Sequence, residues 1–222
     1  MKTINHLLLI LTLCSLSTVA LAQSGDYRGS TYYHQRESLF RTLPVQNGAV
    51  VFLGNSITDG GEWGELFPDQ KVLNRGISGD VTLGVLHRLD EVIRHQPSKV
   101  FLLIGINDLA RGRSKDEICH NIFQIVREIQ QQSPATQIYV QSILPINDQY
   151  DRFKALVNMG DEIIRINNEL EQHAAEGGYT YIDLHSEMTD GAGRLRDDFA
   201  NDGLHLMGVA YQHWADILRK LL

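Results

Sequence analysis

Two short segments of the chain combine residue types that could break an ester bond. Ser56 stands in the turn Gly54-Asn55-Ser56, and Asp202 precedes His205 by three residues near the C-terminus. A serine hydroxyl becomes a nucleophile when an imidazole accepts its proton and a carboxylate orients that imidazole. The three-residue spacing lets Asp202 reach the ring if the segment forms one helical turn. We therefore predict Ser56 as nucleophile, His205 as general base and Asp202 as the orienting acid.

Two further segments carry groups that could stabilise the negative charge developing on a substrate oxygen. Gly79 lies in the sequence Ser78-Gly79-Asp80, and Asn107 lies in Gly-Ile-Asn-Asp at 105–108. Backbone N–H groups and side-chain amides are the usual donors of an oxyanion hole. We expect the N–H of Gly79 and the amide of Asn107 to serve in this way.

Short β-branched runs that alternate with helical stretches must position these residues, and this alternation is typical of a parallel sheet. In an open α/β sheet, ligands bind beyond the carboxyl ends of the strands. The segments around Ser56, Gly79 and Asn107 each follow a predicted strand and therefore fall at this edge. We predict five strands, at 49–53, 72–74, 100–104, 138–143 and 179–184.

Three helices are visible between and after the later strands. Ser114 and Glu117 have the spacing of a capping box, and the apolar stripe that follows ends at Ser133-Pro134. A second stripe runs from Phe153 to Leu170 and ends at Gly177-Gly178, and a last helix is predicted at 208–222. These stripes are typical of a hydrophobic core.

The four polar segments, in this order, resemble those of the SGNH, or GDSL-type, esterase and lipase family, over about 50–209. The resemblance implies a three-layer α/β/α fold with a flavodoxin-like, five-stranded parallel sheet. It also implies an oxyanion hole formed by the N–H groups of Ser56 and Gly79 and the side chain of Asn107, and no metal or other cofactor. The α/β-hydrolase alternative is disfavoured because residues 54–58 lack the closing glycine of Gly-x-Ser-x-Gly.

The resemblance bears on the substrate as well. Exported relatives often remove acetyl groups from carbohydrates, so a small acylated substrate, most naturally an acetylated sugar, is the expected partner. Relatives similar to platelet-activating-factor acetylhydrolases offer an alternative, as do lysophospholipase and thioesterase activities.

Three residues near the polar segments are candidates for substrate binding: Asn55, Arg111 and Arg113. Asn55 replaces the aspartate of the family's first motif. The two arginines could hold an anionic sugar or could be solvated loop charges.

The N-terminal segment indicates export. Lys2, a short apolar run and Ala20-Leu21-Ala22 are typical of a signal peptide, which we assign to residues 1–22. The run is too short and too interrupted by hydroxyl residues for a membrane anchor, so we expect a periplasmic or extracellular protein without stable membrane insertion. Residues 23–47 form an N-terminal extension, predicted as a helix that packs on the hydrolase domain at 48–222.

Length and net charge indicate a single domain that does not bind nucleic acid, and two further alternatives to a serine hydrolase are disfavoured. The chain has 222 residues and a formal net charge of -7, which is the size of one domain and argues against a nucleic-acid partner. Cys119 lies in a predicted helix without a partner motif, which favours a buried core residue over a nucleophile. A rival hypothesis is a non-enzymatic flavodoxin-like protein that binds a flavin or sugar phosphate at the Ser56 turn, but it leaves the other segments unexplained.

Overall fold

The computed structural model describes residues 29–222 of the chain. The predicted signal peptide, residues 1–22, and the first part of the predicted N-terminal extension lie outside the described residues. Among residues 29–222, no helix combines the length and the apolar character that crossing a bilayer would require.

Five parallel strands form one sheet in the order β2-β1-β3-β4-β5. This order confirms the predicted flavodoxin-like sheet, and the predicted strand ends differ from the observed ones by no more than two residues. The strands are Val50–Gly54 (β1), Val72–Gly76 (β2), Lys99–Leu103 (β3), Gln137–Gln141 (β4) and Thr180–Ile182 (β5).

Helices fill the connections between the strands. The α-helices are Thr31–Thr42 (α1), Ser56–Asp59 (α2), Trp63–Leu66 (α3), Thr82–His87 (α4), Leu89–Ile93 (α5), Ile106–Ala110 (α6), Lys115–Gln132 (α7), Gly160–Gln172 (α8), Ala174–Gly177 (α9), His185–Met188 (α10) and Gly208–Leu218 (α11). Short 3₁₀ turns lie at Asp148–Tyr150, Lys154–Leu156 and Arg219–Leu221. The predicted capping box of α7 is present, with Ser114 and Glu117 bonded reciprocally.

The strand order determines which helices cover which face. The chain passes from β1 to β2 in one direction and from β2 through β3 and β4 to β5 in the other, so right-handed crossovers place the two groups of helices on opposite faces. On one face, Trp63 of α3 stacks on Phe52 of β1 at a centroid distance of 4.1 Å and meets Trp214 of α11 edge-on at 4.7 Å. Helix α7 packs against α4, α5 and α8 in the other layer. The result is the three-layer α/β/α fold.

The point at which the direction reverses lies between β1 and β3. Ser56 follows β1 and Asn107 follows β3, so both begin helical turns at the crevice where α/β proteins bind ligands. The fold therefore brings two of the predicted polar segments together at this crevice.

The predicted helix from Phe153 to Leu170 is wrong in its first half. Helix α8 begins only at Gly160, because Asp151 and Asn158 adopt left-handed backbone with φ of 54° and 62°, which a right-handed helix cannot include. Residues 142–159 instead form a long connection, here called the β4–α8 loop. Phe153 lies on this loop rather than on a helix face.

The predicted helix in the N-terminal extension is present as α1 and packs on the domain. Tyr33 and Phe40 are buried from its inner side and form an apolar cluster with Ile77, which follows β2. At the other end of the chain, α11 ends at Leu218 rather than Leu222 and continues as a 3₁₀ turn.

Candidate active site

Ser56 begins the single turn of helix that follows β1. Asn55, directly before it, caps this turn, because its side-chain oxygen accepts a hydrogen bond from the N–H of Ile57 at 3.0 Å. Tyr211 of α11 donates its hydroxyl proton to the carbonyl of Ile57 at 2.8 Å and ties the turn to the C-terminal helix. The serine is therefore held on a short turn that is anchored from two sides.

The structure brings Ser56, His205 and Asp202 into one hydrogen-bonded chain. The Oγ of Ser56 lies 3.0 Å from Nε2 of His205, and Nδ1 of His205 lies 2.8 Å from Oδ2 of Asp202. Because a carboxylate can only accept, Nδ1 carries the proton and Nε2 is left to accept the serine hydroxyl proton. This is the geometry that general-base activation of a serine requires.

Asp202 also organises the backbone of its own segment. Its Oδ1 accepts the N–H groups of Leu204 at 2.9 Å and His205 at 2.8 Å, which winds the segment into a turn beneath the imidazole. Burial by itself would raise the pKa of Asp202, but the hydrogen bonds from the ring and backbone of His205 and from Leu204 outweigh it and hold the pKa below its ordinary value. Asp202 is therefore ionised at neutral pH.

Gly203, between these residues, satisfies two backbone requirements. Its φ is +86°, and an added Cβ would lie 2.2 Å from the carbonyl oxygen of Asn147 in the β4–α8 loop. The N–H of Asn147 in turn donates to the carbonyl of Gly203 at 2.8 Å. A side chain at 203 would push the acid and base away from this loop.

The segment Ser78–Asp80, here called the oxyanion loop, faces Ser56 across the cleft. Gly79 has a φ of +80°, a conformation that glycine adopts without strain. Asn107 donates one N–H of its amide to the carbonyl of Asp80 at 2.9 Å. The amide has a second N–H, which can be offered to a substrate oxygen.

A buried arginine joins the oxyanion loop to the ends of two strands. Arg88 is 1% exposed and pairs with the carboxylate of Asp80 at 2.9 Å. The same guanidinium donates to the carbonyls of Gly54 at 3.2 Å and Arg75 at 2.9 Å, at the carboxyl ends of β1 and β2. Arg88 thus fixes the position of the loop relative to the turn that carries Ser56.

Four of the predicted site residues, Ser56, Gly79, Asn107 and His205, line one cleft of about 470 Å³. Asp202 is not part of the wall and contacts the cleft through His205. Sequence reasoning missed the other walls of the cleft, which come from the oxyanion loop, α6, the β4–α8 loop and the segment before His205: Ser78, Ala110, Phe153, Lys154, Ala155, Leu156 and Leu204. Phe153 meets the ring of His205 edge-on at 5.5 Å. The turn-forming residues Pro145, Asn147 and Asp148 upstream of Phe153 were the signal that this stretch is a loop.

The three candidate substrate-binding residues lie outside the cleft walls. Asn55 is fully buried and its oxygen is used in capping. Arg111 donates to the carbonyl of Gly79 at 2.8 Å, and Nε of Arg113 lies 3.8 Å from Oδ1 of the buried Asp108. These contacts support the structure around the cleft, and substrate binding by Asn55, Arg111 and Arg113 stays a prediction.

The aspartates near the polar segments accept hydrogen bonds from the protein. Asp108 receives the N–H and hydroxyl of Thr82 at 3.0 and 2.7 Å, and Asp59 receives the N–H and hydroxyl of Ser78. Within residues 29–222, no cluster of three histidine, cysteine or acidic side chains has the geometry of a metal site.

Cys119 is buried, and burial raises the pKa of its thiol to about 11, so the thiol is protonated at neutral pH and a poor nucleophile.

Comparison with known proteins yields consistent matches along most of the chain. Residues 52–213 match the model of the GDSL-like Lipase/Acylhydrolase family. The platelet-activating factor acetylhydrolase IB subunit alpha1 of Homo sapiens is 26% identical over 207 residues, which cover 89% of this chain and 84% of that protein.

The fold of this chain is similar to those of several solved structures. A platelet activating factor protein from Streptococcus pneumonia superposes with a TM-score of 0.78 at 27% identity, covering 86% of this chain and 92% of that one. An acetylxylan esterase from Geobacillus stearothermophilus has a TM-score of 0.60 at 20% identity, covering 81% and 96%, and is similar in fold alone. On the extent of the family match, this chain belongs to the GDSL-like Lipase/Acylhydrolase family and is a hydrolase that acts on esters.

Proposed function

We propose that the protein removes short acyl groups, above all acetyl groups, from carbohydrate esters through an acyl-enzyme on Ser56. The observation that carries this proposal is the continuous chain of hydrogen bonds from Ser56 through His205 to Asp202 at a cleft that also contains Gly79 and Asn107. A non-enzymatic binding protein has no need of such a chain, so family and geometry both favour catalysis.

The mechanism follows from the positions of the protons. His205 accepts the Ser56 proton on Nε2 as Oγ attacks the ester carbonyl, and Asp202 stabilises the imidazolium that forms. The carbonyl oxygen becomes an oxyanion, for which the N–H groups of Ser56 and Gly79 and the free N–H of Asn107 are the proposed donors. His205 then protonates the leaving alcohol. Water, activated by the same imidazole, attacks the acyl carbonyl, releases the acid and restores Ser56.

The position of Phe153 supports a short acyl group. Phe153 and Leu156 line the cleft, and the ring of Phe153 lies edge-on to the imidazole of His205 at 5.5 Å, where it would limit the space beside the reacting carbonyl. The named activities of the relatives, an acetylhydrolase and an acetylxylan esterase, both involve acetyl esters. Carbohydrate is favoured as the leaving group because export, proposed from residues 1–22, would expose the enzyme to soluble glycans.

Covalent labelling tests the nucleophile. Intact-mass analysis after treatment with a fluorophosphonate should show one adduct on the wild-type protein and none on Ser56→Ala. Cys119→Ala is the matched control and should be labelled like the wild type, because the thiol is buried away from the cleft. An adduct that persists in Ser56→Ala would refute the assigned nucleophile.

The leaving group has a second candidate, which the 26% identical acetylhydrolase relatives favour. Acetate release should be compared, at equal enzyme concentration, from acetylated xylan oligomers, O-acetylated sialic acid and an acetylated phospholipid analogue. Cleavage of the sugars supports the carbohydrate proposal. Cleavage of the phospholipid analogue alone would replace it with a platelet-activating-factor acetylhydrolase-like activity.

We also propose export to the periplasm or the extracellular space. N-terminal sequencing of the mature protein expressed with residues 1–22 should begin at Gln23. An intact N-terminus on protein recovered from the cytoplasm would contradict both the cleavage and the location.

A further inference from the structure

The N-terminal helix α1 touches the oxyanion loop through a shared carboxylate. Tyr32 donates its hydroxyl proton to Oδ2 of Asp59 at 2.9 Å, and Arg36 lies 3.7 Å from Oδ1. The same Oδ2 accepts the backbone N–H of Ser78 at 3.2 Å and the hydroxyl of Ser78 at 3.1 Å. Asp59 therefore links a helix outside the matched family region to the residue next to Gly79.

Apolar packing supports the same connection. The rings of Tyr33 and Phe40 of α1 pack on Ile77, the residue before Ser78. The hydroxyl of Tyr33 takes no part in this contact, since it donates to the carbonyl of Gly84 in α4 at 2.8 Å. The loop itself is exposed at Ser78 and Gly79, so it has no core of its own to define its conformation. Contacts from outside must hold it.

Asp59 connects the two sides of the cleft. It is the last residue of the helical turn that Ser56 begins, and its side chain accepts hydrogen bonds from Ser78 of the oxyanion loop on the opposite side. The N–H of Gly79 is one peptide away from the N–H of Ser78 that Asp59 binds. A shift of Ser78 therefore moves the Gly79 donor, and oxyanion donors act only when aimed at the position that the charge will occupy.

We propose that Tyr32 and Asp59 are positioning residues for the oxyanion hole, so that α1 completes the active site by holding Ser78 and Gly79 in place. The inference rests on the proposed function, because it assigns Gly79 to the oxyanion hole. Tyr32 and Asp59 act through the loop and make no contact with the reacting atoms.

The test compares two hydroxyl deletions on the same helix. Tyr32→Phe should lower kcat about three- to tenfold with little change in KM, and Asp59→Ala should lower it about ten- to hundredfold, since a donor misplaced by about 1 Å can cost up to about 10²-fold. Tyr33→Phe, which leaves the Asp59 contacts intact, should lower the melting temperature while kcat stays within twofold. Asp59→Asn should recover part of the activity lost in Asp59→Ala, because its amide oxygen can still accept from Ser78.

Two further readouts separate positioning from a merely structural role. The rate of fluorophosphonate labelling of Ser56 should fall in parallel with kcat, and the pH profile should keep its shape because His205 and Asp202 are untouched. Hydrogen exchange of the peptide covering 74–81 should become faster in Tyr32→Phe and Asp59→Ala, and this holds whatever the substrate is.

The outcomes distinguish the two hypotheses. Wild-type protein that is neither labelled nor active on any ester would refute the proposed function, and exchange at 74–81 would still decide whether α1 holds the loop. An active wild type with unchanged kcat in both Tyr32→Phe and Asp59→Ala would overturn the inference, as would unchanged exchange at 74–81.

Discussion

We expect Asn107 to perform two tasks with one amide group. One N–H bonds to the carbonyl of Asp80 and supports the oxyanion loop, while the other is the proposed donor to the substrate oxygen. The second task matters only once charge develops on the substrate oxygen, so its loss should appear in kcat. The division of donors within a single side chain explains why an amide is suited to this position.

Replacing Asn107 with alanine should therefore lower kcat by about 10²–10³-fold, which corresponds to about 3–4 kcal/mol of barrier, with little change in KM. Steady-state kinetics with an acetyl ester measures this. Asn168→Ala, at an exposed position on α8, is the matched control and should behave as wild type. A higher KM with unchanged kcat would instead indicate that Asn107 binds the substrate equally in the ground state and the transition state.

The charge of Asp202 determines which nitrogen of His205 is free to accept a proton. In Asp202→Asn the amide oxygen can still bind the backbone N–H groups, which would turn the amide nitrogen toward the ring and favour the tautomer with a proton on Nε2. That nitrogen then cannot accept the Ser56 proton. The kcat of Asp202→Asn should fall by about 10³–10⁴-fold.

The double variant Asp202→Asn/His205→Ala provides the check. Residues that act as a unit give non-additive losses, so the double variant should be hardly worse than His205→Ala alone. Multiplicative losses would show that Asp202 contributes independently of the imidazole.

At the scale of elements, the β4–α8 loop decides the shape of the cleft. The loop is fixed to the segment around His205, since Asn147 bonds to Gly203 and the hydroxyl of Tyr150 donates to the carbonyl of Ala200 at 3.2 Å. It carries Phe153 and Leu156 into the cleft wall. Acyl-chain selectivity is therefore expected to depend on this loop.

For the wild type, kcat/KM should fall steeply from acetyl to octanoyl p-nitrophenyl esters. Phe153→Ala removes a wall beside His205 and should flatten this decline by raising hexanoyl relative to acetyl turnover. Phe123→Ala, a half-buried position on α7 away from the cleft, is the control for general destabilisation. A wild-type kcat/KM that rises with chain length would rule out the short-acyl proposal.

At the scale of the whole molecule, a second group of buried charges ties α1 and α5 to the edge of the sheet. Arg75 of β2 pairs with Glu91 of α5 at 3.1 Å, and Phe40 of α1 lies over its guanidinium at 4.5 Å. His95 is fully buried beside them. Its Nδ1 accepts the N–H of Gln46 at 2.9 Å, so Nε2 carries the proton and donates to Glu91 at 3.1 Å.

Burial lowers the pKa of His95 from its ordinary value of 6.5 despite the neighbouring Glu91. As pH falls below about 6.5, the unfolded chain binds a proton at this residue before the folded protein does, so the free energy of unfolding decreases until the folded-state pKa is reached. His185, whose pKa burial also lowers, adds to the same decline.

Urea unfolding between pH 8 and pH 5 should show this loss of stability. His95→Gln should reduce the slope by up to about 1.4 kcal/mol per pH unit, the value for one proton. His34→Gln, at an exposed position on α1, is the matched control. An identical slope in His95→Gln and wild type would show that the linkage lies elsewhere.

The sequence by itself determined the sheet and the identity of the catalytic candidates. Strands buried on both faces must be short apolar runs, and the capping box of α7 is a local interaction between Ser114 and Glu117, so both can be read without a structure. Residue types and spacing, together with the family resemblance, selected Ser56, Gly79, Asn107, Asp202 and His205. The fold brings four of them to one cleft and places Asp202 behind His205.

Only the tertiary structure decided how the cleft is walled and supported. Phe153 fits a helical stripe by periodicity, but the left-handed residues Asp151 and Asn158 on either side of it keep this stretch in a loop, which Asn147 ties to Gly203. The contact of Tyr32 with Asp59 joins residues 27 positions apart, and that of Arg111 with Gly79 joins residues 32 apart. Such long-range hydrogen bonds leave no periodic or local signal in the sequence, because they depend on how separate elements pack.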